Sequence, residues 1–156
     1  MKLKKILVIS DTHKNISNAI DVISREKPDY VLHLGDHADD ADELKHIFPE
    51  ADVIGVCGNC DWASFYSAPL ERMLDIDGVK ILMCHGHTYS VKQGIGGYVA
   101  AATVKGAHIA LFGHTHKPML ENNGNMIIMN PGTVSTYGII EIKDGVPCAK
   151  MCTAEE

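Results

Sequence analysis

The sequence predicts an α/β domain in which two mixed β-sheets pack together. Its first half alternates apolar strand-like runs with amphipathic helical stretches, and its second half breaks into three hairpins around Asp-Gly or Asn-Gly dipeptides. Bulk agrees: 156 residues, 46% hydrophobic and 22% charged, suffice for a substantial core in one domain over residues 1–156.

The elements follow in order. KKILVIS (4–10) reads as a buried strand. NISNAIDVISREK (15–27) reads as a helix, because Ile16, Ile20 and Ile23 recur at helical spacing. YVLHLG (30–35) is a second strand, DADELKHIF (40–48) a second helix and ADVIGVCG (51–58) a third strand. Strand–helix–strand repeats imply parallel pairing with right-handed crossovers. ERMLDIDGVKILMCHG (71–86) forms two strands about Asp77-Gly78. GGYVAAATVKG (96–106) is a short helix and AHIALFG (107–113) a buried strand. The last two hairpins turn at Asn123-Gly124 and Asp144-Gly145.

Twenty acidic against 14 basic residues give a net charge of -6, which argues against general nucleic-acid binding. DHADDADE (36–43) supplies much of the acidity and reads as the solvated start of a helix. No apolar run approaches the roughly 18–20 residues that span a bilayer. The apolar part of MKLKKILVIS is too short for a signal peptide and lacks a small-residue cleavage site, so a cytoplasmic protein is expected. Five cysteines, an odd number without a secretory signal, suit reduced thiols. Cys57 and Cys60 form a C-x-x-C, but Cys148 and Cys152 have the wrong spacing to complete a structural zinc site.

The informative polar residues follow the apolar runs. DTH carries Asp11 and His13; GD carries Asp36; GNCD carries Asn59; HGH carries His85 and His87; GHTH carries His114 and His116. Most stand beside a glycine that lets the chain turn. In parallel α/β sheets the C-terminal strand ends border the ligand crevice. Asp11, His13, Asp36, Asn59, His85, His114 and His116 therefore converge. Carboxylate, imidazole and amide oxygen together suit Mn²⁺, Fe²⁺, Zn²⁺ or Ni²⁺. Seven ligands exceed one ion's needs but serve two if a carboxylate bridges.

The pattern DTH…GD…GNCD…HGH…GHTH resembles the calcineurin-like metallophosphoesterases, from Leu7 to about Ile142. The short length, GNCD and NPGTVS (130–135) are most similar to the small stand-alone prokaryotic phosphodiesterases (YfcE-like). The resemblance implies a four-layer α/β/β/α sandwich. It also implies a binuclear centre of two divalent ions per chain, Mn²⁺ being the first expectation. One ion would fall to Asp11, His13 and His116, the other to Asn59, His85 and His114, with Asp36 bridging. Asp36, Asn59 and His85 would form the catalytic set, and Asn59, Cys60 and His87 would face substrate. The two ions bring +4 against -3 from Asp11, Asp36 and a bridging hydroxide, leaving positive charge to attract a phosphate ester. The implied reaction is hydrolysis of a small phosphodiester by direct attack of that hydroxide, without a phosphoenzyme.

Cys60 departs from the pattern, because many relatives carry a His there, and a thiol with ordinary pKa near 8.5 is a poor general acid. Asp39 matches the second acid of a GDxxD pattern or serves as a cap. His37 borders the bridging position, His33 sits inside a strand, and His46 and His108 read as surface or packing residues. The alternative function is a metal-binding scaffold of the same fold that binds a protein, as in the eukaryotic retromer complex. The intact ligand set counts against it. A nuclease would need basic surfaces that this chain lacks. Exposed strands in the second half would accommodate a homodimer.

Overall fold

Two five-stranded sheets lie back to back in a computed structural model of the chain, which describes residues 3–12, 16–36, 39–59, 69–133 and 135–154. The first sheet comprises β1 (Leu3–Ile9), β2 (Tyr30–His33), β3 (Asp52–Gly55), β9 (Thr136–Lys143) and β10 (Val146–Thr153), in the order β10-β9-β1-β2-β3. Here β1, β2 and β3 are parallel, and β9 and β10 extend the sheet antiparallel from β1. The second sheet comprises β4 (Glu71–Ile76), β5 (Val79–Cys84), β6 (Ile109–Leu111), β7 (Met119–Asn122) and β8 (Ile127–Asn130), in the order β4-β5-β6-β8-β7. Its central strands β5, β6 and β8 are parallel and its edges antiparallel.

Alternation along the strands builds the layers, because successive side chains face opposite sides of a sheet. Ile6, Val8, Ile140 and Ile142 of the first sheet meet Ile81, Met83, Ile109 and Leu111 of the second in the central core. Leu7, Ile9, Val31 and Ile139 face the other way and are covered by α1 (Ile16–Glu26) and α2 (Asp39–Ile47). Leu82, Cys84, Ala110 and Phe112 are covered by α3 (Gly96–Val104). The result is the four-layer α/β/β/α sandwich. Both faces of the central strands are buried, which is why their sequences are continuously apolar. The α1 face centres on Ala19, Val22 and Ile23, with Ile20 only partly buried, so the stripe is rotated slightly from the isoleucine spacing.

The strands end earlier than their apolar runs. β2 stops at His33 and β3 at Gly55, although Leu34, Val56 and Cys57 remain buried. Beyond the ladders the chain is held by single backbone bonds. Leu34 N–H donates to Ile9, Asp11 N–H to Gly35, Val56 N–H to His33 and Gly113 N–H to His85. These bonds fix the polar loops at one rim of the sandwich. Among the described residues no helix is long and apolar enough to cross a membrane.

Candidate metal centre

Loops after β1, β2, β5 and β6 bring Asp11, Asp36, His85, His114 and His116 together. Asp11, Asp36 and His85, all buried, offer ligand atoms within 4.8 Å of one another. His85 Nε2 is 3.4 Å from Asp36 Oδ2, 3.8 Å from Asp11 Oδ1 and 3.2 Å from His114 Nδ1. His116 Nε2 approaches Asp11 Oδ1 to 3.2 Å, and its side chain stays 45% exposed, on the solvent side of the cluster. Asn59 is exposed in the turn after β3, next to Gly58, which packs against Asp36. His87 opens a short 3-10 helix, its ring 5.6 Å from that of His85 and 6.2 Å from that of His114. His13, Cys60 and His37 lie outside the described residues.

Hydrogen bonds assign the roles of individual atoms. His85 Nδ1 is 2.8 Å from the Leu34 carbonyl. A carbonyl only accepts, so Nδ1 carries a proton, and Nε2 is the nitrogen that faces the two carboxylates and becomes free to ligate an ion once it is deprotonated. Such a carbonyl contact is the usual way a metal-binding imidazole is oriented. Asp11 Oδ2 accepts from the Ser10 hydroxyl at 2.6 Å and from His114 N–H at 3.2 Å. Its other oxygen, Oδ1, is buried with no hydrogen-bond donor among the described residues. A buried carboxylate oxygen without a donor is costly unless a cation or another donor is bound there. The mixed oxygen and nitrogen set around it fits a divalent ion.

Charge in the metal-free chain tells the same story. Burial pushes the Asp11 carboxyl above its usual range, with the neighbouring Asp36 charge adding to the effect. Burial opposes protonation of His85, but the hydrogen bond and charge of Asp36 and the charge of Asp11 outweigh it and raise its pKa. His114 goes the other way, down to about 4, through burial, His85 and Lys92. A cation would relieve the first two conditions and find the His114 imidazole already neutral.

The backbone is bent to make this arrangement. Asp11 (φ 53°), Asp36 (φ 57°), His114 (φ 68°) and His116 (φ 63°) all adopt the left-handed conformation. That region is unfavourable for residues with a Cβ, by about 1–3 kcal/mol each, and such outliers cluster at functional sites. Among the described residues the remaining four non-glycine examples include Asp77 and Asp144 at hairpin tips. The sequence reading assigned the sharp turns to the flanking glycines; in GHTH the histidines themselves make them. Gly113 is needed for another reason: a Cβ there would collide with Ser10 Oγ and lie 2.9 Å from Asp11 Oδ2.

Further polar residues, unforeseen as a group, hold the loops. Gly35 N–H donates to His33 Nδ1 at 3.2 Å, so the His33 proton sits on Nε2, 3.0 Å from Thr12 Oγ1. Thr12 in turn donates to Asp40 Oδ2 at 2.5 Å. This buried chain ties the Asp11 loop to the Asp36 loop and to α2. It also corrects the reading of residues 36–43 as solvated: Asp40 is only 3% exposed. Asn130, fully buried at the end of β8, donates to the Gly113 carbonyl (3.1 Å) and to Thr115 Oγ1 (2.8 Å), and so steadies GHTH. Asn130 was the first residue of NPGTVS; a polar residue closing a sixth apolar run was the available signal.

Comparison with known proteins agrees. The calcineurin-like phosphoesterase superfamily domain matches residues 4–145. A probable metallophosphoesterase of Bacillus subtilis, YsnB, is 30% identical over 133 residues, 83% of this chain and 74% of its own. The phosphodiesterase MJ0936 of Methanocaldococcus jannaschii is 28% identical over 153 residues, covering 85% and 86%. A predicted phosphoesterase from Streptococcus pneumoniae superposes with a TM-score of 0.79 at 26% identity over 99% of this chain and 92% of that one. With a match over nearly its whole length and ligand-type residues gathered at one rim, the chain belongs to the calcineurin-like phosphoesterase superfamily.

Proposed function

We propose that the chain is a metal-dependent phosphodiesterase that hydrolyses small phosphodiesters with two divalent ions, Mn²⁺ being the first candidate. The observation that carries the reading is Asp11 Oδ1, buried without a hydrogen-bond donor and facing imidazole nitrogens from two other loops. Asp36 Oδ2 lies 3.4 Å from the same His85 nitrogen that faces Asp11 and is the natural bridging carboxylate. His114 and His116 flank Thr115 and serve separate ions, with His13 and Asn59 completing the two sets. The jannaschii relative, named a phosphodiesterase, supports the choice of ester.

Bound divalent ions supply Lewis acidity, a nucleophile at neutral pH and a clamp for the phosphoryl oxygens. The chain's own residues prepare for this. The Leu34 carbonyl fixes the His85 tautomer, Ser10 aims Asp11, and the His33–Thr12–Asp40 chain holds two ligand loops at one separation. Asn59, Cys60 and His87 contact the substrate in this reading. Cytoplasmic location belongs to it as well. A homodimer is compatible and would be read from sedimentation.

Metal stoichiometry tests the reading. Equilibrium dialysis of metal-stripped protein against Mn²⁺ should give two ions per chain, and Asp36→Asn should weaken both together. Loss of one ion alone refutes the bridge. Two ions without turnover of any ester would favour a protein-binding scaffold.

A further inference from the structure

A cleft of about 490 Å³ opens beside the histidine cluster, within the roughly 300–1,000 Å³ typical of small-molecule sites. Its walls are apolar: Val91, Ile95, Phe112 and Met119. Its polar lining is Lys92, Thr115 and Lys117, with no acidic residue among the described residues, in a chain whose net charge is -6. The lysines are exposed, whereas Val91 and Phe112 are buried.

The cleft borders the metal centre at two places. Thr115 separates His114 from His116, and Phe112 directly precedes the GHTH turn. Val91 packs on Gly86, between His85 and His87, so closely that a Cβ at Gly86 would meet Val91 Cγ2 at 2.7 Å. A phosphate held by the histidine cluster would therefore have one ester group at the mouth of this cleft. There that group would meet an apolar wall first and ammonium groups at the rim.

We propose that this cleft is the recognition subsite for one ester group of the substrate. It selects phosphodiesters in which that group is an apolar body bearing a second negative charge. The inference rests on the phosphodiesterase reading for its substrate, but the cleft's preference can be measured without turnover. In the reaction water adds across one P–O bond: its oxygen joins phosphorus, and the other ester group leaves as alcohol or phenol. The group in the cleft stays on the monoester product.

The test uses the full chain loaded with Mn²⁺ and three probes that release p-nitrophenol. These are the p-nitrophenyl diesters of methyl, phenyl and 4-carboxyphenyl phosphate. kcat/KM should rise from methyl to phenyl through the apolar wall, and again by about fivefold to 4-carboxyphenyl through the lysines, chiefly in KM. Lys92→Ala/Lys117→Ala should abolish the second step and retain the first. In parallel, calorimetry compares phenyl phosphate with 4-carboxyphenyl phosphate as ligands. Tighter binding of the carboxylated ester, lost in the double variant, supports the subsite even if no diester turns over, in which case only the phosphodiesterase reading falls. Equal affinity for the two monoesters, or a preference that survives the double substitution, overturns the subsite.

Discussion

Thr12→Val keeps the side-chain volume and deletes the hydroxyl that joins His33 to Asp40. All three residues are at most 3% exposed, so water cannot replace what is lost. The His33 Nε2–H loses its acceptor at 3.0 Å and Asp40 Oδ2 loses a donor at 2.5 Å. Leaving one buried neutral group unsatisfied costs about 1–3 kcal/mol, and a carboxylate costs more. Because Asp40 retains other interactions and can take up a proton, a total of about 3 kcal/mol is expected. For a chain of this length that lowers Tm by about 6–12 °C. The assay is thermal and urea unfolding of metal-free protein, with the m-value checked so that only stability is compared. Thr12→Ser, which restores the hydroxyl, should recover most of the loss. Because the chain joins the two ligand loops, Val should also weaken Mn²⁺ binding where Ser does not. A Val variant within about 0.5 kcal/mol of wild type, with unchanged Mn²⁺ affinity, would refute the idea that this chain sets the loop geometry.

Metal binding should release protons. Asp11 and His85 both hold protons more tightly in the metal-free chain than isolated groups do, and ligation expels them. His114, at about 4, is already neutral and adds none. Mn²⁺ affinity should therefore rise with pH above 6.5, and calorimetric enthalpies should depend on the buffer's ionisation enthalpy; buffer-independent enthalpies would contradict this. For the metal-free chain the His85 contribution has the opposite sign: it is fully present below pH 6.5 and is lost as pH climbs through the raised folded value. Gly113→Ala should cut Mn²⁺ affinity at least about tenfold, since its methyl group displaces Ser10 or Asp11; unchanged affinity in equilibrium dialysis would mean that the loop yields freely. Cys60→His should raise turnover of esters with poor leaving groups if a missing acid limits the reaction; an unchanged rate assigns the limit elsewhere.

The loops that carry the candidate site were legible because each polar residue punctuates an apolar run. Asp11, Asp36, His85 and His114 stand where a buried strand meets the rim, and a sequence shows such a boundary directly. Strand length was less legible. Leu34, Val56 and Cys57 are as apolar as their neighbours and just as buried, yet they lie past the last ladder pair. Burial without pairing leaves no mark on composition. Asp40 was hidden for a related reason: it sits within three positions of exposed Asp42 and Glu43 in the chain, and its partner Thr12 is 28 positions away. Left-handed turns at Asp36 and His116 were concealed because glycine is the usual signal for them, and here the functional side chain occupies the strained position itself. The cleft with Lys92 and Lys117 belongs to the same class, since it joins residues from the 3-10 helix region to others after β6.

Hydrolysis of bis-p-nitrophenyl phosphate, beside p-nitrophenyl phosphate, by metal-stripped protein tests the central claim most directly. Mn²⁺, Ni²⁺, Fe²⁺ and Zn²⁺ are added back singly, with His85→Ala as the parallel control. The account predicts no activity without metal, activity restored by Mn²⁺ and stronger on the diester, and none in the variant. Diester hydrolysis that persists without metal, or that survives in His85→Ala at the wild-type rate, would contradict it.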